Sequence, residues 1–554
     1  MASENVKIKI QEVDKTTAAG RGIDSSDIAF IPGFSSSGSA VKNTPVLCYT
    51  VREFEAAFGT QPQRLSSVDV ANYKDQGFVA GDPDRSYIIA KELLSAGMPV
   101  IYSNVVDENG IDKLVVTAST ATDDFTFNAK DNIITCTALR AVREAKTLVF
   151  TSKSSKGSSC FDATVATTTD SVKIVTVELS DGNDDKHSRV VGPFELTSGN
   201  TEQDMYIFVT ISGKLNKDDS FELIFTGRKK SSSRINDLYT KLSDQLEVMS
   251  DRSYFSAKYI TSGGYPSMYH TKVTENSSTA VKLNYALAQS LITCAATRGD
   301  AVALVDYELN TTKDLYKVGE ESIYNDIQVA SFSDAGFGTA MYPWAEYNTT
   351  EGVVTLPASY AYLRCVATAV KSSPNWLAMA GVSRGLVKGV NKLCTKGILT
   401  NTIAEEMQPK YGEDNHSISV NCITNIRPYG LTLWGNRTLK HVGVDGTVAL
   451  NFLNTRNMLS DIKKVLYTTA KSIMFEQNND VLWTRFKSGV SPLLDQLKSG
   501  GGISDYKIIK STTTSNGAGL SKGELAAIIR VYPIHAVEFF DLTVEIRDDD
   551  ITVS

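Results

Sequence analysis

The stretch GVSRG, from Gly381 to Gly385, has the Gly-x-Ser-x-Gly spacing that presents a nucleophilic serine on a tight strand-to-helix turn. Acyl transfer at Ser383 would need a histidine base and a carboxylate to orient that base. The histidines that follow, His416, His441 and His535, stand in unrelated contexts. Ser383 comes after PNWLAMA without a clear turn-then-helix signal, so an ordinary glycine-flanked turn is the favoured reading and a serine hydrolase the alternative. Phosphate chemistry fares no better. GFGTAM and GAGLSKG fall short of Gly-x-Gly-x-x-Gly, and no GxxxxGK[ST] run is present to cradle a nucleotide. DGNDDKH has the acids of a calcium loop, but Lys186 stands where the turn glycine belongs and Gly192 where the bidentate glutamate belongs. No pair of histidines has HExxH spacing, and Cys394 and Cys422 lack neighbouring ligands. Asp548, Asp549 and Asp550 could attract a cation, yet a terminal acidic run reads more simply as a solubilising tail. The sequence therefore predicts no catalytic residue, no cofactor and no metal.

The bulk numbers bound the rest. A chain of 554 residues exceeds one hydrophobic core, and its length suggests roughly three or four domains. Hydrophobic residues at 42% and charged residues at 21% place it among globular rather than disordered proteins. A net charge of −7 gives no basic field for nucleic acid. The seven cysteines are scattered, odd in number and without CxxC spacing, as expected of buried, reduced thiols in a reducing cytoplasm. MASENVKIKIQ has no apolar core of a leader, and no apolar run reaches membrane-spanning length, so neither a leader nor a membrane insertion is expected.

Local texture divides the chain. DIAFIPG and TPVLCYT read as strands, and TVREFEAAFG as a helix with Thr50 as N-cap and Gly59 beyond its end. DPDRSYIIAKELLSAGMPVIYSNVV follows as helix then strand. From about Ile111 short β-branched runs such as KLVVTAS, FTFNA, TLVFTS and SFELIFTG alternate with Ser, Thr, Gly, Asn and Asp clusters, the pattern of an all-β unit. After GRKKSSSRI the α/β texture resumes, with LNYALAQSLITCAATRGD as a helix closed by Gly299 and AVALVDY as a buried strand. The expected class is thus a multidomain α/β and α+β protein. Its expected parts are an extended arm over 1–22, an α/β core over 23–107 and 233–416, an inserted β-rich domain over 108–232, a C-terminal domain over 417–540 and a second arm over 541–554.

In the C-terminal part NTRNMLSDIKKVLYTTAKSIMF shows one apolar helical face: Met458, Leu459, Ile462, Val465, Leu466, Ala470 and Ile473. Asn454 is placed to cap it. Arg456, Lys463, Lys464 and Lys471 lie opposite with no acid among them, which predicts a solvated face or, as the minority reading, a contact with an acidic partner. SPLLDQLKSGGG is expected as a further helix, capped by Ser491, with Pro492 in its first turn and Gly500 after its end. Both chain ends carry strand alternation. Val6, Ile8 and Ile10 alternate with lysines, and Leu542, Val544 and Ile546 with Thr543, Glu545 and Arg547. An unpaired strand exposes a row of N–H and C=O groups that seek a sheet edge.

One set of segments in chain order carries a family resemblance. Asn421 and Ile423, the block Trp434, Gly435, Arg437, Thr438 and Leu439, then Phe475 to Asn478 with Trp483, and Pro533 with Glu538 and Phe539, resemble the C-terminal half of phage contractile tail sheath proteins. MYPWAEY, LPAS and SSPNWLAMAGV are similar to that family's Tyr-Pro-Trp, Val-Pro-Pro-Ser and Ala-Pro-Ala-Asn elements, with Leu356, Ala358, Ser373 and Trp376 departing from them. NTPVLCYTVREFEAAFG is similar to its opening strand and helix; the β-rich insertion matches nothing in the resemblance.

The resemblance implies a structural subunit that polymerises as stacked hexameric rings into a helical sheath around a tail tube. It implies contact with baseplate and tail terminator proteins, and contraction that drives the tube through the bacterial envelope for genome ejection. The site implied is a virion tail assembled in the host cytoplasm, or alternatively a bacteriocin-like particle or other contractile injection system. It implies that Val6–Ile10 and Leu542–Ile546 are donated to neighbouring subunits' sheets, with Lys15–Gly22 and the segment after Ala536 as bending linkers. It further implies a tube-facing role for Arg456, Lys463, Lys464 and Lys471.

Overall fold

The structure, a computed structural model, describes residues 27–34, 43–106, strands between 111 and 228, and 233–538, with short gaps at 66, 72, 74–76, 276–277, 318–320, 372, 375, 413–415, 514–524 and 537. The terminal arm strands Val6–Ile10 and Leu542–Ile546, Phe539 and the acidic run Asp548–Asp550 lie outside the described residues.

Short apolar runs build one eight-stranded sheet from strands β1 (Ala29–Gly33), β2 (Val46–Cys48), β3 (Val100–Asn104), β4 (Tyr259–Ile260), β5 (Val302–Asp306), β6 (Gly338–Tyr342), β7 (Val420–Ile426) and β8 (Gly430–Trp434). Their order is β2-β3-β1-β4-β5-β6-β7-β8. The six inner strands run parallel, and β2 and β8 cap the two edges antiparallel. β1, β3, β5 and β6 are buried along their whole length, which is why their sequences are mostly apolar and do not alternate.

Alternate residues feed opposite cores. Ile31, Tyr102 and Leu304 pack beneath helices α1 (Val51–Phe58), α2 (Arg85–Ser95) and α5 (Ala358–Ala369). Phe30, Ile101 and Val305 pack against α3 (Arg234–Ser250) and α4 (Ala286–Arg298). Local signals set these helix ends. Thr50 accepts from the Glu53 N–H at 3.2 Å, and Gly59, at φ +90°, ends α1. Gly299, left-handed at φ +73°, ends α4.

Between β3 and α3 the strands over 111–228 pair with one another in a five-stranded and a four-stranded sheet. The start expected for the C-terminal unit is corrected: β7 and β8, within 420–434, complete the large sheet, because Val420–Cys422 pairs in parallel with Ala340–Tyr342. The chain beyond β8 builds a core of its own. Helices α6 (Leu453–Ser472) and α7 (Asp480–Ser499) and the hairpin of β9 (Ile503–Ser511) and β10 (Ala526–Pro533) gather Met458, Ile462, Phe486, Val490, Leu494 and Ile503.

Two helix boundaries differ from expectation. α6 starts after Phe452 with no side-chain cap. Asn454 is used elsewhere: its Oδ1 accepts from Asn436 at 2.7 Å and its amide donates to the Trp376 carbonyl. α7 begins at Asp480, with Asn479 capping the Leu482 N–H, so Pro492 lies inside it rather than in its first turn. The repeat Leu482, Phe486, Val490, Leu493, Leu497 buries a continuous stripe, and that packing outweighs the helix-breaking proline.

Candidate assembly interface

The positions suggestive of catalysis are dispersed. Ser383 sits exposed in the four-residue helical turn Gly381–Arg384. His416 stacks on Tyr316, His535 stacks on Phe452, and His441 meets the Ser417 hydroxyl at 2.8 Å. The carboxyl ends of parallel strands, where α/β folds ordinarily leave a ligand crevice, are closed here by side chains. Asp84 is fully buried there and accepts from the Tyr265 hydroxyl at 2.7 Å, the Ser86 hydroxyl at 2.7 Å and the Phe34 N–H at 3.3 Å, while capping α2. Burial pushes its carboxyl up, and these donors oppose the shift. Asp306, at the end of β5, accepts from the Ser359 N–H at 3.2 Å and the Ser359 hydroxyl at the start of α5; burial raises it to about 7.

The motif residues, by contrast, converge. The Asn421 amide donates to the Thr339 hydroxyl and to the Arg437 carbonyl, each at 2.8 Å, and its oxygen accepts from the Arg437 N–H at 2.9 Å. Gly435, at φ +139°, passes so close that a Cβ there would lie 2.6 Å from Asn421 Oδ1. Leu439 is buried in the large sheet's core, Trp434 packs beside it, and the Thr438 hydroxyl donates to the Leu450 carbonyl at 2.8 Å. The block therefore welds the last sheet strands to the start of α6.

Arg437 extends this junction to the chain's end. Its side chain is 1% exposed, lies 4.7 Å over the Phe452 ring, and donates from Nε to Glu538 Oε2 at 2.7 Å. Glu538 stands only a few residues beyond β10. Burial raises its carboxyl, and Arg437 opposes that rise. The sequence motif contains both residues but gives neither a partner. They are 101 residues apart, and no local periodicity links them. The segment expected to bend after Ala536 is accordingly pinned at Glu538.

The basic face of α6 needs correction. Arg456 is 4% exposed: its Nε donates to the Gly336 carbonyl at 2.8 Å and its guanidinium lies 3.9 Å over Phe337. Burial lowers it to about 10. Lys464 is 8% exposed, donates to the Ser256 carbonyl at 3.3 Å and is lowered by burial to about 8. Lys463 is half-buried, and Lys471 alone of the four is exposed. α6 lies against the α/β core along this side, so the expected outward face turns inward for its first half.

A further junction gave no sequence signal. Lys258, fully buried, bridges Asp27 at 2.8 Å and Asp461 of α6 at 3.0 Å. Burial opposes the ammonium, but the two carboxylates outweigh it and raise its pKa. The chain just before β1 is thereby tied to the C-terminal helix.

Beyond these anchors, β9 and β10 pair only with each other among the described residues, leaving an outer edge on each side. Ile528, Tyr532 and Ile534 are exposed beside that ladder. Such edges accept further strands.

Residues 446–547 match a family model described as the phage tail sheath C-terminal domain. The chain is similar to the tail sheath protein of Vibrio phage KVP40, at 25% identity over 222 residues, covering 40% of this chain and 31% of that protein. It is also similar to the tail sheath protein of Enterobacteria phage T4, at 24% identity over 218 residues, covering 39% and 31%. The matched region thus spans about a third of the length of each curated relative. Among solved structures, a sheath tail protein from Listeria innocua is 13% identical, covers 94% of this chain and 97% of that one, and has a TM-score of 0.46.

Proposed function

We propose that this chain, a member of the phage contractile tail sheath family, is a structural subunit that polymerises as stacked hexameric rings around an inner tail tube. It contracts to drive that tube through the bacterial envelope, and its place is the virion tail assembled in a host cytoplasm. The observation that carries this reading is the match over residues 446–547, because that span holds α6, α7, the β9–β10 hairpin and the alternating sequence Leu542–Ile546. Its partners are further copies of itself, a tube protein, and baseplate and terminator proteins.

The physical logic is β-augmentation. Each copy gives Val6–Ile10 and Leu542–Ile546 to neighbours and receives strands on its hairpin edges. A single net hydrogen bond contributes only about 0.5–1.5 kcal/mol. Several linked in series hold through effective concentration. The closed carboxyl end of the sheet and the dispersed histidines favour a machine driven by contacts between subunits over one driven by bond chemistry. A tube contact through Arg456, Lys463, Lys464 and Lys471 is disfavoured, because Arg456 and Lys464 face the core.

Electron microscopy of the purified full-length protein tests the reading. Hollow helical tubes are expected as concentration rises; a strictly monomeric species at high concentration would overturn it.

A further inference from the structure

Where α6 leaves the core, its second half and the hairpin enclose a groove of about 860 Å³. Leu466, Ala470, Ile473 and Phe486 line it with apolar side chains, together with Ala527 and Ile529 of β10. Arg252 and Lys463 line the groove as well, and Lys471 stands next to its Tyr467. Arg252 and Lys471 sit 4.1 Å and 4.5 Å from the same Tyr467 ring, and Lys463 lies 5.4 Å from Phe337. The acids nearby are engaged: Asp300 by Arg298 at 3.0 Å, Glu476 by Arg485 at 3.4 Å, and Asp251 by the Ser253 hydroxyl at 2.6 Å. Burial first, then Arg456 and Arg252, disfavour the charge on Lys463, as expected in a positive corner.

A segment at the C-terminal end of the chain has matching chemistry. DLTVEIRDDDITVS, residues 541–554, alternates apolar Leu542, Val544 and Ile546 with polar residues and then carries Asp548, Asp549 and Asp550. We infer that the groove takes the acidic end of this tail from a second copy of the chain. The inference rests on the arm-exchange reading above and adds a seat for the tip of the arm. A strand laid antiparallel through Leu542–Ile546 on the edge of β10 that pairs with nothing among the described residues would deliver its acids toward Ala527, into the groove that Arg252 and Lys463 also line. The described chain leaves the groove the other way. β10 runs from the groove at Ala527 to Pro533, and Arg437 then holds Glu538 beside Phe452, at the far end of α6.

The experiment measures the critical concentration for sedimentable polymer at several salt concentrations. D548N/D549N/D550N and, separately, R252E/K471E each raise it about ten-fold at low salt, since several exposed charge contacts are lost together. That difference disappears at ~1 M salt, where the Debye length is about 3 Å. Arg252 and Lys471 are exposed, so thermal melts of the dilute variants should match the parent. Mixing D548K/D549K/D550K chains with R252E/K471E chains restores assembly, because each tail then meets a groove of opposite charge on another copy. Rescue only when both sets share one chain would seat the tail on its own copy and overturn the inference. Unchanged assembly of both single variants overturns it as well. Deletion of 541–554 separates the levels: if only the deletion abolishes assembly, arm exchange stands and the groove does not. If the deletion too is harmless, both fall.

Discussion

The Arg437–Glu538 pair has the most at stake of any single contact near the arm. Arg437 is 1% exposed, so a guanidinium left without its carboxylate would keep a desolvated charge. Glu538→Gln should lower unfolding free energy by about 3 kcal/mol in urea titrations. Arg437→Met with Glu538→Met should recover most of that loss, because two apolar side chains leave no orphaned charge; a double variant as unstable as the single one would contradict the pair. Asp306 gives a pH test. Its folded carboxyl titrates near 7, above its value of 3.8 in an open chain. The folded state therefore binds the proton more tightly, and stability is lost as pH rises through 7. Asp306→Asn should stabilise the protein at pH 8 by on the order of 1–3 kcal/mol, with the advantage gone near pH 4. Melting curves at both values decide it.

At the level of the element, α7 contains two opposed tests. Pro492 is exposed inside the helix and removes a ladder bond to Ser488. Pro492→Ala should raise stability by about 1–3 kcal/mol if nothing else depends on the proline. Gly489 lies where a Cβ would come within 2.7 Å of Thr469 Cγ2 on α6. Gly489→Val should push the helices apart and cost about 1–3 kcal/mol. Thermal denaturation of both variants checks the pair of signs. The same helix shows what local reading reaches. Gly500 after its end was legible, but Pro492 drew the expected start to itself and away from Asp480. The stripe Leu482, Phe486, Val490 had the spacing to correct it. On α6 periodicity grouped Arg456, Lys463, Lys464 and Lys471 correctly on one side. Periodicity carries no information on what covers a side, and Gly336, Phe337 and Ser256 come from distant parts of the chain.

For the whole molecule, the two ends of the described chain are both fastened to the junction between the large sheet and α6. Asp27 is held through Lys258 to Asp461, and Glu538 is held to Arg437. Under the arm-exchange proposal, tension on either arm would thus reach the same junction. Removing residues 1–22 should leave the melting temperature nearly unchanged, because the arm would find its partners on neighbours, while abolishing cohesive tubes in electron micrographs. Cohesive tubes formed by the truncated chain would reverse the assignment.

The amino-acid sequence by itself determined the elements whose cause is local: Thr50 and Gly59 at the ends of α1, Gly299 after α4, the apolar runs of the buried strands, and the ordered motifs around Trp434–Leu439. Turn dihedrals, capping bonds and face periodicity are properties of neighbours in the chain. Tertiary structure alone decided that β7 and β8 belong to the large sheet, that Arg456 and Lys464 face inward, and that Arg437 meets Glu538 and Lys258 meets Asp27 and Asp461. Arg437 and Glu538 are 101 positions apart, and Lys258 and Asp461 are 203 apart. Burial and charge compensation act on distance in space, which spacing along a chain does not encode.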